Sequence, residues 1–187
     1  MELRFSDEFL KALELSRSEA LRTGWHNIRP DHITLGILRL DGSFACEVLD
    51  RAGACREAFK ERLDERLFHP EQIPWEDRES IQPCENAVTM LQHAALEARR
   101  CGTPVIEPLH FLLACRRVPG SCSHDWLEEQ GIRLRALVEA AGLDWDSYGL
   151  APSAAENEAA APDPSIMAAA IEKRLREGYT TGNPHVS

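Results

Sequence analysis

The sequence has no long apolar run, no basic leader and no surplus of positive charge, and each absence removes a class of function. No stretch approaches the roughly 18 consecutive apolar residues of a spanning helix, so a helical membrane protein is not expected. The N-terminus, MELRFSDEFL, lacks a basic segment followed by an apolar one, so no signal peptide is expected and the predicted address is the cytoplasm. Lys and Arg number 21 against 31 Asp and Glu, a formal net charge of −10. Nucleic acid and anionic membrane both demand a basic face and are not expected as partners. The acidity favours basic or neutral peptides only weakly, because most surface acid serves solubility. No G-x-x-x-x-G-K-[ST] occurs, so no Walker A cradle for a nucleotide is present in the sequence. In a reducing compartment the six cysteines read as thiols. What remains is a chain of 187 residues, 43 % hydrophobic and 28 % charged, long enough for one cored domain and a small tail.

What is present is a repetition. Gly24–Leu40, GWHNIRPDHITLGILRL, returns as Gly102–Val118, GTPVIEPLHFLLACRRV, at an offset of 78 residues (102 minus 24). The same offset carries Leu13 to Leu91, Glu19 to Glu97, Arg22 to Arg100, Pro30 to Pro108, His32 to His110, Arg39 to Arg117 and Gly53 to Gly131. A register kept without a gap over some fifty positions marks an internal duplication.

Each copy reads as four helices. Ser6 is a plausible N-cap for a helix over 7–23, with Asp7 and Glu8 in its first turn and Phe9, Leu10, Leu13, Ala20 and Leu21 on one face. Gly24 ends it, and Pro30 opens the next, whose Ile33, Leu35, Ile37 and Leu38 are dense enough to be buried nearly all round. Ser43 caps a third helix running through Arg51, and Gly53 ends it; a fourth, over about 54–67, carries Phe59, Leu63 and Leu67. Residues 69–80 are a connector, and the second copy predicts helices over about 84–101, 108–117, 121–130 and 132–142. The expected fold is all-α, eight helices in two four-helix repeats that bury facing stripes about an approximate two-fold axis. The expected organisation is a body over 1–147 (repeat one 3–67, repeat two 81–147), an Ala/Pro/acidic linker over 148–164, and a short helix and flexible tail over 165–187.

With Phe5-Ser6, Glu19-Ala20, Gly24, Asp31-His32, Leu35-Gly36-Ile37-Leu38 and Val48-Leu49 to Gly53, the chain resembles the double N-terminal repeat of the Clp/Hsp100 unfoldases, the Clp R or Clp N domain, over about residues 3–142. Tyr148-Gly149, Asp163–Ile166 and Asn183-Pro184 echo the family's linker, after which the family's phosphate-binding loop would come. The resemblance implies a non-catalytic platform without a motor, with no cofactor and no metal. It implies as partners a Clp ATPase, an adaptor protein or an unfolded client, and a monomer, since the ring is built by the ATPase modules.

Some relatives read phosphoarginine in one pocket per repeat, made by a Thr near the repeat start and the Glu of Glu-His. The matching positions here are Ser6 and Asp31 in the first repeat, and Cys84 and Leu109 in the second. Leu109 has no charge for a guanidinium, so only the first pocket is expected to survive. Asp31 has a plainer reading as a helix-dipole residue. His32 and His110 read as residues that order their own helix starts. Of the four tryptophans, Trp25 follows a helix-ending glycine and is a docking-anchor candidate, whereas Trp126 reads as core. Two other classes compete with the binding module: a remnant of a truncated unfoldase with little independent function, and a small metal-dependent enzyme using His110, Cys115, Cys122 and His124, whose spacing fits no zinc finger.

Overall fold

The computed structural model describes residues 4–149 and, nearer the C-terminus, 168–169, 171–173 and 175–176. The eight helices predicted for the two repeats are present: α1 (Asp7–Thr23), α2 (Pro30–Leu38), α3 (Phe44–Arg51) and α4 (Arg56–Leu67), then α5 (Glu85–Arg100), α6 (Pro108–Arg117), α7 (Cys122–Glu129) and α8 (Leu134–Ala140). Their ends follow local chemistry. Ser6 Oγ accepts from the Phe9 amide at 3.1 Å, and Ser43 and Ser121 cap α3 and α7 in the same way. Cys84, where Ser6 has its counterpart, makes no side-chain cap.

Four two-residue strands were not expected: β1 (Arg4–Phe5), β2 (Asn27–Ile28), β3 (Gln82–Pro83) and β4 (Val105–Ile106). They pair crosswise and in parallel, β1 with β4 and β2 with β3. The start of each repeat thus joins the α1–α2 or α5–α6 connection of the other, which is the two-fold relation written in backbone hydrogen bonds. Helix α1 packs on α2, α5 on α6, and α4 meets α7 across the repeats. There the Phe59 and Trp126 rings stack 4.1 Å apart, so Trp126 is core as expected.

The connector is more ordered than its composition predicts. Trp75–Ser80 forms a 3-10 turn, and Ile73 and Ile81 flank it in the core. A further helix, α9 (Trp145–Gly149), crosses the expected body–linker boundary at 147/148. Tyr148 is buried there: its hydroxyl donates to Glu97 and accepts from Arg117 Nη2 at 2.9 Å. The stretch over 150–167 and the tail over 177–187 lie outside the described residues. Within the expected C-terminal helix, Ile171 and Leu175 are buried members of the core. No helix among the described residues is long and apolar enough to cross a membrane.

The repeated charges are repeated contacts. Glu19, nearly buried, binds Arg22 at 2.5 Å and Arg39 at 3.1 Å. Its copy Glu97, with its side chain 2 % exposed, binds Arg117 at 2.5 Å and stands 3.8 Å from Arg100. A buried carboxylate is tolerable only when so matched.

Two glycines are required by space. Gly36 lies where α2 crosses α1, and a Cβ there would stand 2.3 Å from the Ala12 carbonyl oxygen. Gly24 ends α1 at φ +86°, and a Cβ there would stand 2.4 Å from the Glu71 carbonyl oxygen. Its copy Gly102 has φ +74° but open space around the same position. Gly102→Ala is therefore expected to cost about 1 kcal/mol of left-handed strain, and Gly24→Ala about 2–3 kcal/mol through strain plus backbone displacement. Urea titration of the two variants checks the ranking; equal costs would mean that the connector gives way.

Candidate functional site

Of the three expected binding residues, the structure brings two together. A cleft of about 350 Å³ opens between the repeats, lined by Trp25, Arg29, Asp31, Arg66, Leu67 and the α6–α7 turn from Gly120 to Cys122, with Asp125 beyond it. Ser6 is not part of that lining. Its backbone amide bonds Ile106 of the other repeat at 3.0 Å, and its hydroxyl is spent on capping α1. The crossed strand pairing explains the separation, because it ties each repeat start to the opposite copy.

Asp31 is buried, and both of its carboxylate oxygens are engaged. Oδ1 accepts from the Ser123 amide at 2.9 Å and the Ser123 hydroxyl at 2.6 Å, and Oδ2 accepts from the Cys122 amide at 3.1 Å. Thr34 Oγ1 joins the Ser123 hydroxyl at 2.8 Å. Asp31 stands in the first turn of its own α2, as a dipole residue does, and its carboxylate also caps the start of α7 in the other repeat. At the related place the second repeat carries buried Leu109, and α3 begins with Phe44-Ala45. One clamp is ionic and its copy is apolar.

Trp25 forms the cleft wall by way of Gly24. Its indole Nε1 donates to the Leu67 carbonyl at 2.6 Å, its ring meets His69 at 5.5 Å, and the Arg29 guanidinium lies 4.7 Å from its centroid. Leu67 ends α4, and the next residue, Phe68, is 73 % exposed. Burial pushes the Cys122 thiol up to about 11, with Asp31 adding to the rise and Arg66 opposing it. A thiol so protonated is a poor nucleophile.

His32 and His110 do what was expected of them. Each Nδ1 accepts from the amide three residues earlier, Arg29 or Glu107, at 2.9 Å. His32 Nε2 also meets the Thr23 hydroxyl at 2.9 Å. Burial holds both imidazoles neutral, lowering His32 to about 3, with Arg29 and Arg22 contributing, and His110 to about 4. The four residues of the metal-enzyme alternative are not gathered. His124 Nδ1 faces the Cys115 carbonyl oxygen, and among the described residues no three His, Cys, Asp or Glu side chains are grouped to hold a metal ion.

Sequence reasoning passed over Arg29 and Arg66. The available signal was the duplication itself: the 78-residue offset takes Trp25, Arg29 and Arg66 to Thr103, Glu107 and Asp144. The copies agree in their cores and differ in charge at these positions.

Fold and cleft together define an all-helical double repeat with an inter-repeat cleft. The chain belongs to the Clp repeat (R) N-terminal domain family, whose profile matches residues 4–130. It is 26 % identical over 134 residues to the negative regulator of genetic competence ClpC/MecB of Bacillus subtilis, and 27 % identical over 134 residues to the chaperone protein ClpB of Oceanobacillus iheyensis. In each case the match takes in 72 % of this chain and 15 % of the relative's length, so the chain spans a small N-terminal-type part of the relatives it matches. Its fold is similar to the N-terminal domain of the caseinolytic protease associated chaperone ClpD from Arabidopsis thaliana, with a TM-score of 0.51 at 20 % identity over 74 % of this chain and 94 % of that one.

Proposed function

We propose that the protein is a non-catalytic docking module of the Clp chaperone–protease system, receiving an adaptor or an unfolded client for a Clp ATPase or in competition with one. Membership of the Clp repeat family carries the reading. The cleft supports it: it combines an aromatic wall, an apolar edge and charged side chains, the composition of a small protein-recognition surface. The cleft thiol is held protonated and both repeat histidines are committed to helix starts, so the groups nearest a reactive role are occupied structurally.

The test is a binding titration of the purified full chain against a fluorescent, permanently unfolded polypeptide and, separately, against a Clp adaptor. Saturable binding of at least one in the micromolar range is expected, without chemical change to it. Addition of the chain in excess to a Clp ATPase working with that adaptor is expected to slow client degradation by competition. Failure of both titrations would overturn the reading.

A further inference from the structure

Basic side chains are the minority on this protein, and most described arginines are held by acids. Arg22, Arg39, Arg56, Arg62, Arg116 and Arg117 each reach a carboxylate. Arg29 and Arg66 pair with no carboxylate among the described residues, and both line the cleft between the repeats. Asp31 and Asp125 share the cleft and keep their charges, but neither forms an ion pair with the two arginines: the oxygens of Asp31 are turned to the α7 amides and the Ser123 hydroxyl. The Trp25 ring lies under the Arg29 guanidinium, and a stacked guanidinium keeps its in-plane N–H groups available to a carboxylate. Arg66, at the exposed end of α4, faces the same cleft as Cys122. At the 78-residue offset the second repeat carries Thr103, Glu107 and Asp144, so Trp25, Arg29 and Arg66 have no like residues there.

We propose that the cleft takes an acidic peptide segment of a partner protein, a carboxylate side chain lodged between Arg29 and Arg66 and a neighbouring apolar side chain laid against Trp25 and Leu67. This deepens the docking reading above and rests on it. A net charge of −10 repels extended polyanions at long range, so the surface selects a short acidic motif with an apolar flank over nucleic acid. The two guanidiniums supply short-range, charge-assisted hydrogen bonds in a partly dehydrated site.

The probe is a short Ser/Ala peptide bearing Leu-Asp-Asp-Leu, compared by fluorescence anisotropy with its Leu-Asn-Asn-Leu counterpart on the intact chain. The acidic peptide is expected to bind roughly tenfold more tightly, equivalent to one well-formed charged contact. The combined Arg29→Gln and Arg66→Gln variant is expected to reduce its affinity to that of the amide peptide while leaving the amide peptide's own affinity unchanged. Arg66→Gln alone, at an exposed position, is expected to give a smaller loss in the same direction, with an unchanged far-UV spectrum. Glu107→Gln with Asp144→Asn, at the offset positions of the second repeat, is expected to change neither. Equal binding of the two peptides, or an acidic preference that survives the double variant, would overturn the proposal. If an unfolded client still binds under those results, the acidic specificity fails and the docking function stands.

Discussion

Asp31→Ala is expected to destabilise the protein by about 3–5 kcal/mol, the value typical of removing one member of a buried, charge-assisted network. The carboxylate is the acceptor for two α7 amides and for the Ser123 hydroxyl, all on the other repeat. Without it, the amides of Cys122 and Ser123 lose their acceptor in a half-buried place where water reaches them poorly. Asp31→Asn keeps the shape but offers one acceptor and a pair of donors to a cluster made of donors, so it is expected to recover little of the loss. Guanidinium unfolding followed by circular dichroism measures both. Ser123→Ala completes a double-mutant cycle, and a coupling energy above about 1 kcal/mol is expected for groups in direct contact. The same variants separate two roles. If Asp31 were a ligand-binding acid, Asp31→Asn would weaken partner binding at little cost in stability. If it is an inter-repeat clamp, stability falls first and binding follows the folded fraction.

The helices were legible because each signal for them is local. Ser6, Ser43 and Ser121 stop the preceding chain, Pro30 and Pro108 open a first turn, and Gly24 turns left-handed at the end of α1. The duplication supplied the long-range part, since two copies with matching apolar stripes have few ways to shield one another. What sequence did not show was made between the copies. A two-residue strand such as Asn27–Ile28 has no pattern of its own; it exists because Gln82–Pro83 lies beside it. Tyr148 follows an Asp and a Ser and precedes a glycine, which reads as the start of a linker, yet the Glu97–Arg117 pair gives its hydroxyl a buried partner. Asp31 is legible as a dipole residue of α2, but its second role at the start of α7 is not, because Cys122 is 91 residues away in the chain. The cleft was half visible: Trp25 and Asp31 were singled out for separate reasons, and Arg29 and Arg66 gain meaning only once α2 and α4 converge.

Acidification from pH 7 to pH 5 is expected to remove about 4 kcal/mol of stability, most of it through two histidines. The sign follows from their burial. His32 and His110 are held neutral in the folded chain, lowered to about 3 and about 4. In the unfolded chain each titrates near its ordinary value of about 6.5. Below that value the unfolded state binds protons that the folded state refuses, so stability is fully present above about pH 6.5 and falls as the pH drops toward 4. Each histidine contributes a slope of up to about 1.4 kcal/mol per pH unit, and the two together about 2.7. Urea titrations at intervals between pH 7 and pH 5 read this slope directly. Substitution by glutamine isolates the cause. A Gln at the third helical position returns its side-chain oxygen to the amide three residues earlier, as the histidine Nδ1 does, but carries no titrating proton. His32→Gln and His110→Gln are each expected to halve the pH dependence, and the double variant to flatten it, with only modest change in stability at pH 7. A double variant as acid-sensitive as the parent would shift the cause to other groups. An effect seen for one histidine alone would show that one of the two helix starts opens to water, breaking the symmetry that the duplicated cap implies.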